Sequence, residues 1–174
     1  MISGQCSSVE MKLLSALNRD PENGSLWFML ALARAREKKT DLAIKALERA
    51  LPLFLQPAPV YFNLGLLSMK KNELSRAEEA YARGLALCPS NVQANKNYAF
   101  LLMQRGKLLD ATIPLRRLRD LMPNDLKVRA TLIEIYLKVR MKREGDGDYL
   151  MSSRVVTLPP SLALFDLLQE NSAS

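Results

Sequence analysis

There is no histidine among the 174 residues. That absence removes the side chain most often used as a general base near neutral pH, and the commonest metal ligand. Cysteine is scarce as well. Cys6 and Cys88 stand alone, without the paired spacing of a metal site. Cys88 comes just before Pro89 and reads as a helix-end residue rather than a redox partner; two isolated thiols fit a reducing compartment. The seven glycines form neither a phosphate-binding loop nor the tight turn that carries a nucleophilic serine. No apolar run reaches the ~18 residues of a membrane span, and Met1-Ile2-Ser3-Gly4 opens no basic-then-apolar leader. Glu78, Glu79, Asp110 and Asp120 stand at helical spacing beside basic residues and read as solvated surface pairs. Together these features argue against an enzyme, a cofactor or a metal, and for a cytoplasmic chain without a transmembrane segment.

What the sequence does contain is a period. Pro21, Leu55, Pro89 and Pro123 are spaced 34 residues apart, with Pro57 two places late where Leu55 breaks the series. Trp27 and Tyr61 keep the same spacing, as do Leu30, Leu64 and Tyr98. Small residues follow in register: Ala31, Gly65 and Ala99, then Ala43, Ala77 and Ala111. A further column is Leu47, Tyr81 and Leu115. Tyr61, Leu64 and Gly65 share one helical face, and Ala77, Tyr81 and Gly84 share another. Small residues are needed where two helix backbones come close. Each unit therefore reads as helix, short turn, antiparallel helix, then a loop with a proline that stops the second helix.

On these columns the chain resembles the tetratricopeptide repeat (TPR) family. The run Tyr61-Phe62-Asn63-Leu64-Gly65, with Ala77, Tyr81, Gly84 and Pro89, matches its pattern, with Ser68 at the family tyrosine. The next unit keeps Ala99, Gly106, Ala111 and Pro123 but has Asn95 in place of the large aromatic. The first keeps Trp27, Leu30, Ala31, Ala43, Leu47 and Ala50. The resemblance implies an all-α, right-handed superhelical solenoid of antiparallel helix pairs. The expected boundaries are an N-terminal capping helix over 1–23 and repeats over 24–57, 58–91 and 92–125. A degenerate repeat over 126–158 and a C-terminal capping helix with tail over 159–174 complete the chain.

The ends are out of phase. Val9, Leu13, Ala16 and Pro21 occupy the places of a second helix without its first, and Leu126–Met141 makes a first helix with a poor partner. Either the end helices cap the stack, or the sequence is a piece of a longer array. The acidic, apolar segment Leu162–Glu170 is expected to cap the end, or else to enter the groove and compete with ligand. Pro114, inside a second helix, predicts a kink or a helix that starts late.

In the resembled family, first helices line a concave face on which a peptide lies. That implies a groove of Phe28, Leu32, Phe62, Asn63, Leu66, Met69, Lys70, Lys96, Asn97, Phe100, Met103 and Lys127. Methionine and phenylalanine suit an adaptable apolar surface, and lysines at its edge suit a protein or peptide ligand that is apolar with acidic residues. Asn63 and Asn97 resemble the asparagine ladder of O-linked N-acetylglucosamine transferase arrays, with Met29 and Thr131 ending it after two rungs and no catalytic domain in view. The carboxylate clamp of co-chaperones is not matched: aligned either way, Phe28 and Leu32 or Phe62 and Leu66 replace its leading Lys and Asn. The net charge of +7 is concentrated near Arg116, Arg117, Arg119, Lys127 and Arg129. No aromatic platform accompanies it, so nucleic acid is disfavoured. The expected function is a non-enzymatic protein–protein interaction scaffold. The alternative is the targeting arm of a larger enzyme such as a glycosyltransferase. Self-association through the end helices is a third option.

Overall fold

The computed structural model describes residues 3–145, in which there are eight α-helices and no strand. They are α1 (Ser3–Arg19), α2 (Gly24–Arg36), α3 (Thr40–Ala50), α4 (Ala58–Lys70), α5 (Leu74–Leu87), α6 (Val92–Gln104), α7 (Leu108–Leu121) and α8 (Leu126–Gly145). The most extensive packing is within the hairpins α2/α3, α4/α5 and α6/α7; α1 packs on α2 and α8 on α7. The result is a solenoid in which each unit buries what its neighbour cannot.

Helix entries recur every period. The side-chain oxygen of Asn23 accepts from Leu26 N at 3.2 Å, that of Asn91 from Ala94 N at 2.8 Å, and that of Asp125 from Lys127 N at 3.0 Å. Each satisfies a backbone donor that the first turn leaves open. Pro57 holds the equivalent place before α4 and offers no side-chain cap.

Helix exits recur too. Lys38, Asn72 and Gly106 stand at φ of 60°, 62° and 73°, in the left-handed region. The following N–H of Lys39, Glu73 and Lys107 donates to the carbonyl of Arg34, Ser68 and Leu102, each at 2.9 Å. This backbone pattern closes the first helix of every hairpin. Only one of the three residues is glycine, so the shared turn leaves no shared letter in the sequence.

The small and large columns form the core. Leu30, Ala31, Ala43, Leu47, Ala77, Tyr81, Ala99 and Ala111 are all buried. A Cβ on Gly65 would lie 2.9 Å from the Tyr81 ring, and one on Gly84 2.6 Å from Phe62. In unit two, two glycines thus leave room for the rings of Tyr81 and Phe62. Asn95, which replaces the aromatic column, is fully buried and donates through Nδ2 to Pro89 O at 2.7 Å and Asn91 O at 2.9 Å.

Acidic residues tie second helices to the next turn. Glu10 on α1 pairs with Arg34 and Lys39 at 2.8 and 2.7 Å, and Glu78 on α5 pairs with Arg105 and with Lys107. Asp41 on α3 meets Lys71 at 2.7 Å. Glu10 therefore acts in α1 as Glu78 does two units later.

Three expectations need correction. Val9 is exposed rather than in the core, while Leu13 and Leu17 are buried in its stead. Of the two outcomes expected at Pro114, the late start does not occur: α7 begins at Leu108, in register with Leu74, and runs through Pro114. Pro114 is buried where Ala46 and Ala80 stand in earlier units, so it fits a small-residue column at the cost of one backbone bond. Helix α8 continues to Gly145, past the expected end at Met141 and past the place of the left-handed turn in the other units. Most of the expected second helix of a fourth repeat and the C-terminal capping helix at 159–174 lie outside the described residues.

Candidate functional site

Helices α4 and α6 stand side by side as the first helices of consecutive hairpins, and α5 runs behind them. Between them opens a cleft of about 690 Å³. Gln56, Ala58, Pro59, Phe62, Asn63 and Leu66 form one wall. Gln93, Ala94 and Asn97 form the other, with Tyr81, Leu87, Cys88 and Asn91 at the base and end. Of the expected groove residues, Phe62, Asn63, Leu66 and Asn97 are brought together here.

The other expected residues are distributed differently. Phe28, Met69 and Met103 are half-buried against the core, Phe28 edge-on to Phe54 with ring centroids 6.0 Å apart. They pack within the stack, because a first helix has neighbours on three sides. Lys96 is exposed with its Nζ 3.9 Å from the Asp125 carboxylate. Lys70 and Lys127 are exposed and do not line the cleft. Leu32, Leu66 and Phe100, one period apart, are exposed by 37%, 37% and 61% and form an apolar row across three first helices. A basic row follows one helical turn on: Arg36 and Lys70 are exposed and make no ion pair among the described residues.

The two ladder asparagines are held by the protein. Asn63 Nδ2 donates to Pro59 O on its own helix at 2.8 Å. Asn97 Nδ2 donates to the Tyr81 hydroxyl at 3.1 Å, and its Oδ1 accepts from Gln93 Nε2 at 2.9 Å. A carboxamide offers two donors and two acceptor positions, so Asn97 keeps half its capacity after both bonds. Burial raises the Tyr81 pKa above the ordinary tyrosine range, and the Asn97 bond offsets part of that. The phenol therefore stays neutral.

Every side chain lining the cleft is uncharged, and five are carboxamides: Gln56, Asn63, Asn91, Gln93 and Asn97. The repeat period points to Asn63 and Asn97 as outward-facing and to Tyr81 only as a core column; that Tyr81 and Cys88 close the cleft comes from the meeting of different helices, while Gln93 lies one turn before Asn97 on α6. Within the described residues no group of three or more His, Cys, Asp or Glu side chains gathers to hold a metal. Nor is any helix there long and apolar enough to cross a membrane.

Two stretches, 12–59 and 58–91, match sequence models of the family described as Tetratricopeptide repeat. These stretches are TPR repeats. No curated protein matches the sequence. Solved TPR-fold structures are similar in shape. MamA is 18% identical with a TM-score of 0.71, covering 83% of this chain and 84% of that one. YrrB, described as a TPR protein with an unusual peptide-binding site, is 14% identical with a TM-score of 0.68, over 79% and 71%. PilF of Pseudomonas aeruginosa is 20% identical with a TM-score of 0.65, over 77% and 61%. At these identities the likeness carries the TPR fold and nothing finer. The resemblance to glycosyltransferase arrays gains no specific support from these comparisons.

Proposed function

We infer that the chain is an interaction scaffold that holds a segment of a partner protein on its concave face, acting as an adaptor. The observation that carries this reading is the cleft between α4 and α6, continuous with the exposed Leu32–Leu66–Phe100 row. An exposed apolar row beside fixed amides is a binding surface in physical terms: water gains by leaving the row, and the amides take up backbone groups. Phe62, Asn63, Leu66 and Asn97 are the proposed contacts, with Leu32, Phe100, Lys70 and Lys96 around them.

Affinity capture of binding proteins by wild type and by the Leu66→Glu, Phe100→Glu double variant tests this. Both positions are exposed, so the variant is expected to fold. A control carries Glu at Leu109 and Ile113, exposed on α7. Partners lost with the concave variant alone support the reading; partners recovered equally by all three proteins overturn it.

A further inference from the structure

We propose that the α4–α6 cleft accepts only an uncharged stretch of an extended partner peptide, whose acidic residues lie outside it, beside Arg36 and Lys70. This rests on the concave face being the ligand face, and adds a rule for what the ligand must be. The cleft supplies carboxamides, one phenol and apolar side chains, and no charged group. A charged side chain entering it would give up water for dipoles without a counter-ion, which is unfavourable. A peptide backbone would not: Asn97 is fixed by Tyr81 and Gln93, yet keeps one donor and one acceptor position to offer.

The surrounding charge gives the other half of the rule. The nearest lysine in register, Lys96, is drawn towards Asp125 of the next unit. Arg36 and Lys70 stand one helical turn beyond the apolar row, at the far ends of α2 and α4. A partner with its uncharged stretch in the cleft and apolar side chains on Leu66 and Phe100 would place acidic residues against that edge. Three parallel rows thus fix three chemistries in order: amide, apolar, basic.

The test uses a phage-displayed library of random dodecapeptides panned on the full chain and, in parallel, on Gln93→Glu. Gln93 is exposed at the start of α6, where a carboxylate is favourable. The wild-type pool is expected to share an uncharged core with Asp or Glu to one side, and the variant pool to bring Lys or Arg into that core. In a synthetic consensus peptide, one Asp in the core should weaken wild-type binding about 10-fold or more. The same peptide should lose affinity for Lys70→Glu through its acidic flank. Enriched peptides that compete at Leu66 and Phe100 but carry charge in the core would overturn the rule and leave the scaffold reading intact. Peptides indifferent to Leu66→Glu and Phe100→Glu would overturn both.

Discussion

Asn95 makes the bond that Trp27 makes. Trp27 Nε1 donates to Pro21 O at 2.7 Å, and Asn95 Nδ2 donates to Pro89 O at 2.7 Å, each six residues back onto a repeat proline. The indole and the carboxamide differ in size but place an N–H at the same point of the loop. Asn95 adds a second bond to Asn91 O, and it is fully buried. Replacing Asn95 by Ala takes the donor from Pro89 O, while Asn91 O keeps the backbone N–H of residue 95; set against the removal of the unpartnered Asn95 Oδ1, the expected cost is about 1 kcal/mol. Urea unfolding of the variant checks this, and no loss of stability would mean that the bonds are not needed.

The left-handed turns should rank by residue. Lys38 carries a Cβ at φ 60°, where only glycine is unstrained, whereas Gly106 sits at φ 73° with open space around it. Lys38→Gly is expected to stabilise the chain and Gly106→Ala to destabilise it, each by about 1 kcal/mol. Chemical denaturation of both variants reads the two opposite signs at equivalent places.

Gly65 and Tyr81 should behave as one unit. A methyl group on Gly65 would meet the ring at 2.9 Å, and the ring is fully buried, so Gly65→Ala should cost about 1–3 kcal/mol. Units one and three hold Ala with Leu at these places: Ala31 with Leu47, and Ala99 with Leu115. Gly65→Ala with Tyr81→Leu should therefore be more stable than the sum of the singles by about 1 kcal/mol in a double-mutant cycle. Strict additivity would show that the two sites do not share the space.

Acid should unfasten the ties between units. Hydrogen bonds from Lys39, then Arg34, hold the Glu10 pKa below its ordinary value of 4.5, and Lys71 lowers Asp41 and Glu73 in the same way. A carboxylate with a lowered folded pKa contributes stability above its unfolded pKa, and loses it as pH falls through the folded value. Glu10→Gln should thus be less stable than wild type near neutral pH, with the gap closing below the ordinary glutamate range. Unfolding midpoints of both proteins across that range check it.

The period made the helices, the loops and the small columns legible, because a small residue is needed wherever the two helices of a unit pack closely, as Gly65 does on the Tyr81 ring. It did not show the turns, since Lys38, Asn72 and Gly106 share a conformation and not a side chain. Nor did it show that Asn95 replaces an aromatic through its N–H. In the cleft, Phe62, Asn63, Leu66 and Asn97 were readable as outward-facing positions. That Asn97 is tied to Tyr81 depends on how α5 and α6 approach, which spacing along one helix does not encode; only its bond with Gln93, one turn earlier on α6, follows from spacing. Phe28, Met69 and Met103 were read as groove because the faces of these helices are apolar nearly all round, and a helix packed on three sides leaves little of that free.

The recurrence of one backbone conformation at Lys38, Asn72 and Gly106 has a genetic counterpart. A segment cut at any two of these turns begins and ends with the chain heading the same way. Recombination that adds or removes one whole segment leaves the downstream path undisturbed. A single-codon insertion inside a helix has the opposite effect: it rotates the rest of that helix by about 100° and turns its buried face out of register. The turns are the natural joints at which such an array lengthens, shortens and acquires new surfaces.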